Sequence, residues 1–190
     1  PTQARDLVVG IGGDIETFDV CCANFIQSHH LLYAVYEPPV IYPTIEVAGG
    51  ALVGDPAGVV GTIFESWESS DNGLEYTVKI RQGLTLQNGT PINAELIRYT
   101  VDRNLNTPGG GAWLLKNIAF VTKPPEIIDD YTVRFVGDRP SPMVMAQFYM
   151  TSSVMIDPAI VQEHATDDDP WATTWMARNV AGGSGPYKIV

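Results

Sequence analysis

The stretch that most constrains this chain is a short run held between two turns. Leu74, Tyr76, Val78 and Ile80 alternate with Glu75, Thr77, Lys79 and Arg81, the period of a strand that buries one face. Asp71-Asn72-Gly73 stands before it, and Gly and Asn accept the positive φ of a tight turn at little cost. Asn88-Gly89 follows, the dipeptide that two-residue hairpin turns favour. Residues 64–91 therefore read as two consecutive β-hairpins. A helix follows them, with Asn93 as N-cap and Glu95 near the positive end of the helix dipole. Ala94, Ile97, Val101 and Leu105 recur at spacings of three, four and four, which marks its buried face.

The rest of the chain fills in around that segment. The apolar run at 7–11 and residues 40–42, 118–121 and 131–136 are expected as strands, and so is the return at 185–190. Residues 28–36, 141–150 and Pro158–His164 are expected as helices, and Asp167-Asp168-Asp169-Pro170 as the capped start of another. Gly, Pro and Ala dominate 43–62, which predicts a loop or flap. Thr107-Pro108-Gly109-Gly110-Gly111 is expected to end the helix capped by Asn93.

Charge narrows the partners. Acidic residues number 22 against 11 basic ones, a net charge of −11. That argues against nucleic acid or an anionic membrane surface as the partner, without identifying one. No apolar run reaches the ~20 residues that span a bilayer. Pro1-Thr2-Gln3-Ala4-Arg5 does not read as a signal peptide, so any export signal is expected to have been removed or never cloned. The two cysteines are neighbours, Cys21-Cys22. Adjacent residues rarely meet disulfide geometry, so no disulfide framework is expected.

Several chemistries can be weighed on spacing alone. Gly10, Gly12 and Gly13 suggest a dinucleotide fingerprint, but its third glycine falls on Ile15. Gly109-Gly110-Gly111 leads into Ala-Trp rather than Lys-Ser, so no phosphate loop forms. Gly183-Ser184-Gly185 lacks the spacing of a nucleophile elbow. His29 and His30 point ~100° apart on a helix, which argues against both reaching one metal ion. Cys21-Cys22 lacks a third soft ligand in the sequence. The aspartates at 167–169 lack the spaced ligands of a calcium loop and read as a helix cap. No cofactor and no metal is expected. Asn88-Gly89-Thr90 matches a glycosylation sequon but reads as a turn. Trp113 suits either a core or a binding cleft, since aromatics give large contact area at low rotamer cost.

One set of motifs carries a resemblance. Glu65-Ser66-Trp67-Glu68, Asp71 through Arg81, Gly83, Asn88-Gly89-Thr90-Pro91 and Ala94-Glu95 together resemble the signature of the peptide/nickel-type solute-binding proteins of ABC importers. Asp130 through Phe135 and Gly183-Ser184-Gly185-Pro186-Tyr187 match further motifs in the same order. Departures are Leu86-Gln87 within the second turn, the long Gly-rich stretch before Phe64, Val20 after Asp19, and Pro39 after Glu37-Pro38. As residues of the signature that this stretch resembles, Trp67 and Tyr76 are expected in the core.

The resemblance implies an α/β fold, the first lobe of a two-lobed periplasmic-binding-protein-like fold with mixed sheets, including the family's extra subdomain. It implies that 1–43 and 178–190 belong to the core subdomain and 44–177 to the extra one, with the second lobe absent. It further implies capture of a peptide or similar small solute outside the cytoplasmic membrane, without catalysis. Delivery would be to the transmembrane subunits of an ABC permease. The expected solute-facing residues are Phe18, Cys22, Asn24, Phe25 and His29, after the first strand, and Trp113, after the signature helix. The competing expectations are a sensor or chaperone-like module on the same scaffold, and a metal-dependent hydrolase using His29, His30 and Asp19.

Overall fold

Alternation and turn chemistry build the centre of the molecule. The protein is described by a computed structural model that covers residues 10, 12–23, 25–55 and 58–189. β5 (Phe64–Ser69) and β6 (Glu75–Ile80) form the expected antiparallel hairpin, with Phe64 opposite Ile80 and Trp67 opposite Val78. Gly73 takes φ +69° at its turn. β6 then pairs with β8 (Thr132–Val136), Val78 facing Val133. β7 (Glu126–Asp129) closes the order β5-β6-β8-β7. Ahead of this sheet lie α1 (Ile26–Val35), β1 (Val40–Ile41), β2 (Thr44–Glu46), β3 (Leu52–Gly54) and β4 (Val60–Gly61). β1 pairs with β4 and β2 with β3, and every strand pair among the described residues is antiparallel.

One face of the sheet takes the helices. α2 (Ala94–Asn106) begins where expected, with the Asn93 carboxamide oxygen accepting from the Leu96 N–H at 3.0 Å. Its buried stripe holds Ala94, Ile97, Val101 and Leu105. These pack with Val78, Ile80, Val133 and Phe135 in a cluster of buried side chains. Phe148 lies in it, 5.0 Å from the Phe64 ring and 4.9 Å from that of Phe135. A second cluster gathers Val20, Leu32, Val35 and Tyr36 with Val154, Val161, Met176 and Ala181. It is built on α1, α5 (Pro158–His164) and α6 (Thr173–Met176). No described helix is long and apolar enough to cross a membrane.

The structure corrects several expectations. Residues 110–117 do not merely end the preceding helix; α3 (Gly110–Asn117) starts there and buries Leu115. Residues 118–121 form no strand, because Ala119 and Val121 are buried in irregular backbone and Phe120 takes φ +56°. The loop expected at 43–62 contains the β2–β3 hairpin and β4. The second hairpin contracts to a single bridge, Thr85 with Pro91. The expected helix at 141–150 is reduced to α4 (Val144–Gln147), followed by a 3₁₀ turn at Thr151–Ser153. Asp169 does cap a helix, but α6 starts later, and its carboxylate accepts from the N–H groups of Thr173 and Thr174 at 2.9 and 2.8 Å. Trp67 and Tyr76 sit half-buried at the margin of the first cluster. The expected strand at 7–11 lies outside the described residues except Gly10.

The return segment also differs from a strand. Gly185 donates to the Val35 carbonyl at 2.8 Å and Tyr187 to that of Ala34 at 3.1 Å. A Cβ on Gly185 would stand 2.7 Å from the Val35 carbonyl carbon. Only glycine lets these backbones meet, which gives the Gly-Ser-Gly motif its physical role.

Candidate functional site

A loop on the margin of the second cluster carries most of the expected site residues, and its own polar groups shape it. The Asp19 N–H donates to the Thr17 hydroxyl at 3.0 Å, and the N–H groups of Cys22 and Ala23 donate to the Asp19 carbonyl. Such local bonds favour a tight turn over strand or helix. The Asp19 side chain points inward, where Arg103 of α2 meets it with both forks. Nη1 donates to Oδ1 at 2.9 Å and Nη2 to Oδ2 at 2.7 Å. Each side chain is only 1% exposed. Arg103 also donates from Nε and Nη2 to the Trp171 carbonyl. One guanidinium thus joins the loop, α2 and the segment before α6. Burial alone would lower the Arg103 pKa, but the Asp19 carboxylate outweighs it and holds the guanidinium above its ordinary range.

The turn between α2 and α3 packs on the same loop. A Cβ on Gly109 would collide with the Cys21 carbonyl oxygen, so glycine permits this backbone approach. Gly111 donates to that carbonyl at 3.4 Å, and the Cys22 thiol donates to the Pro108 carbonyl at 3.1 Å. The two sulfurs lie 3.3 Å apart. Their mutual hydrogen bond, with burial and the Asp19 charge behind it, pushes the Cys21 thiol up. The same bond pulls the Cys22 thiol down against the effect of burial.

The six expected solute-facing residues fare differently. Phe18 is half-buried, its N–H bonded to the Ala177 carbonyl at 3.2 Å. Cys22 is half-buried against Pro108. Phe25, the residue before α1, is 59% exposed, and Trp113 on α3 is 57% exposed. Phe25 and Gln27 line an open depression of about 410 Å³ with Gly13, Asp14 and Glu16. His29 has a ring nitrogen 3.0 Å from the Ala23 carbonyl, so it braces the loop. Asn24 lies outside the described residues. The structure therefore brings Cys22 to the turn that leads into the Trp113 helix, and it leaves Phe25 and Trp113 uncovered.

The hydrolase arrangement does not assemble. Asp19 is committed to Arg103, His29 to the Ala23 carbonyl, and His30 is exposed. The one group of possible metal ligands among the described residues is Asp19, Cys21 and Cys22, and neither histidine joins it. Arg103 is the residue that sequence reasoning missed. A charge on an amphipathic helix ordinarily reads as solvent-facing, and nothing near it in sequence announces a partner at Asp19.

Comparison with known proteins adds a family and three relatives. The family described as "Bacterial extracellular solute-binding proteins, family 5 Middle" matches residues 58–190. The probable D,D-dipeptide-binding periplasmic protein DdpA of Escherichia coli K12 is 28% identical, over 96% of this chain and 33% of its own. The glutathione-binding protein GsiB of the same strain is 26% identical, over 98% and 32%. The crystal structure of the ABC transporter substrate binding protein CtaP from Listeria monocytogenes superposes with TM-score 0.68. It is 26% identical, covering 95% of this chain and 33% of CtaP. The chain thus spans about a third of the length of the curated relatives it matches.

Proposed function

The chain belongs to family 5 of the bacterial extracellular solute-binding proteins, and from that premise we propose that it captures a peptide or peptide-like solute outside the cytoplasmic membrane for an ABC permease. It does so without turning the solute over. The observation that carries this reading is the family match over 58–190. The names of the relatives support the solute class: one is named for D,D-dipeptides and one for glutathione. Both are short amide-linked molecules.

In this reading Phe18, Cys22, Phe25 and Trp113 form one wall of the solute site, with His29 bracing the loop. Uncovered aromatics on a pinned loop and a short helix suit that role, because their area is available and little ordering remains to be done on binding. Residues 1–43 and 178–190 form the core subdomain and 44–177 the extra one. The backbone bonds from 185 and 187 to the end of α1 support that division. In this division the second cluster, which Val154, Val161 and Met176 share with α1, is the seam between the two subdomains.

Calorimetry with D-alanyl-D-alanine, glutathione and a dipeptide panel tests the proposal. In this reading the chain supplies one lobe of a two-lobed site, and it spans about a third of the relatives' length. Extended to that length, it binds at least ~100-fold more tightly than these 190 residues. In the extended chain, Phe25→Ala and Trp113→Ala each weaken binding by about tenfold or more. Both leave stability within about 0.5 kcal/mol, as expected of exposed positions. Unchanged affinity in both variants would move the site elsewhere. Equal affinity of the short and extended chains would overturn the two-lobe reading.

A further inference from the structure

The proposed solute wall uses only Cys22 of the paired cysteines and leaves the buried Cys21 thiol beside it without an explanation. Their sulfurs are 3.3 Å apart, Cys22 half-buried and Cys21 beneath it. Cys21 Sγ lies 3.1 Å from Asp19 Oδ1 and 3.3 Å from Arg103 Nη1. The Asp19 carboxylate and both sulfurs fall within 4.8 Å of one another, the spacing of a metal site.

Three observations argue against a divalent cation. Both Asp19 oxygens are held by Arg103, and withdrawing either would leave a buried guanidinium incompletely paired. That guanidinium stands beside Cys21 and repels positive charge. Two thiolates on tetrahedral zinc, each at about 2.3 Å, stand ~3.8 Å apart, wider than the pair found here. Oxidation is disfavoured as well. The Cα atoms of adjacent residues are ~3.8 Å apart across a trans peptide, below the ~4.4–6.8 Å usual for a disulfide. The loop therefore keeps two thiols side by side and favours neither a dication nor their own disulfide.

We infer that Cys21 and Cys22 form a vicinal dithiol site for neutral trivalent arsenicals. Trivalent arsenic is pyramidal, with ligand angles close to a right angle, so it accepts two sulfurs that stand nearer together than a tetrahedral ion requires. A monosubstituted arsenical, R–As=O, condenses with both thiols. Two As–S bonds form, and the oxygen leaves as water with the two thiol protons. Arsenic remains trivalent, so no oxidant or reductant enters. The product carries no charge, which suits a position beside Arg103, and Asp19 keeps its ion pair. Entry is from the Cys22 side. The inference rests on the geometry of this loop and is independent of which solute the chain carries.

Phenylarsine oxide on the folded chain is the probe. One equivalent is expected to bind per chain and to abolish the reaction of both thiols with an aromatic disulfide reagent. A dithiol such as 2,3-dimercaptopropanol removes it, whereas excess mercaptoethanol does not. Cys22→Ser keeps the buried Cys21 and weakens binding about 100-fold or more, because the second sulfur no longer acts at high effective concentration. Its adduct then yields to mercaptoethanol. Urea unfolding establishes that this variant is folded. Absence of binding to the folded wild type would overturn the inference, as would equally tight binding by Cys22→Ser. Stoichiometric zinc binding that needs both cysteines would also overturn it, by refuting the electrostatic argument.

Discussion

The β5-β6-β8-β7 sheet and the loop around Asp19 are ordered by different means. In the sheet, the deciding contacts are apolar and shared among many residues: Val78 faces Val133 across paired strands, and both pack with Phe135 against the stripe on α2. In the loop, the deciding contact is an ion pair between residues 84 positions apart, sealed from solvent. An apolar stripe can be repacked in many ways, whereas a bidentate Arg–carboxylate pair admits one geometry. The loop around Asp19 gains a single fixed geometry from the second device, at the cost of depending on a single partner.

The largest expected effect breaks that dependence. Asp19→Ala leaves Arg103 buried beside only the Trp171 carbonyl and Cys21, and should cost roughly 3–5 kcal/mol in urea unfolding. Replacing both members, Asp19→Leu with Arg103→Met, should recover most of the stability, because no charge is then left unpaired. Solute affinity should not recover with it, since the loop has lost its fixed geometry. A double variant that restores both would mean the pair serves stability alone.

A smaller effect sharpens the same comparison from the other side of the contact. In Gly109→Ala the added methyl meets the Cys21 carbonyl oxygen, and backbone at that point cannot yield as a flexible side chain would. Overpacking of this kind costs roughly 1–3 kcal/mol. Faster reaction of the Cys22 thiol should accompany it as the turn moves off the loop. An unchanged unfolding midpoint would show that the two segments are not tightly docked.

The two regions also differed in how far their sequences disclosed them. The β5–β6 hairpin and α2 were legible because period, turn residues and the Asn93 cap all agree locally. β7 was not, since Glu126-Ile127-Ile128-Asp129 is too short and mixed to carry a pattern and becomes a strand by pairing with β8. The apolar run at 118–121 has the composition of a strand, but it serves as buried irregular backbone after α3, an ambiguity that periodicity cannot resolve. Gly109-Gly110-Gly111 looked like a terminator alone; packing of Leu115 and the close approach to Cys21 make it the start of a helix. Around the proposed solute wall, Phe25 and Trp113 are nominations from the family resemblance. Arg103 could not be nominated, because a contact over 84 positions leaves no trace in local spacing.

The smallest effect concerns the seam between the two regions, where Asp157 ties the contracted second turn to α5. Its Oδ1 accepts from the Ala159 N–H at 2.8 Å, and its Oδ2 accepts from Asn88 Nδ2 and the Thr90 hydroxyl, each at 2.5 Å. Burial alone would raise this carboxyl, but the hydrogen bonds from Thr90, Asn88 and the α5 backbone outweigh it and lower the pKa below 3.8. A folded pKa below the unfolded one means the unfolded chain binds the proton first as pH falls. The stabilisation is therefore complete above about 3.8 and is lost as pH drops through the folded value. Asp169, held to about 2 by its bonds to Thr173 and Thr174 against the effect of burial, acts in the same direction and extends the decline further into acid. The wild-type urea midpoint should thus fall as pH is lowered from about 4 towards 2, the range set by these two groups. Asp157→Asn should be less stable at neutral pH and show a shallower decline below 4, shallower again when Asp169→Asn is added. If Asp157→Asn keeps the wild-type slope, the turn is not held by the ionised carboxylate, and the seam must rest on the packing of Leu86 and the backbone bond from Gln87 to Gly183.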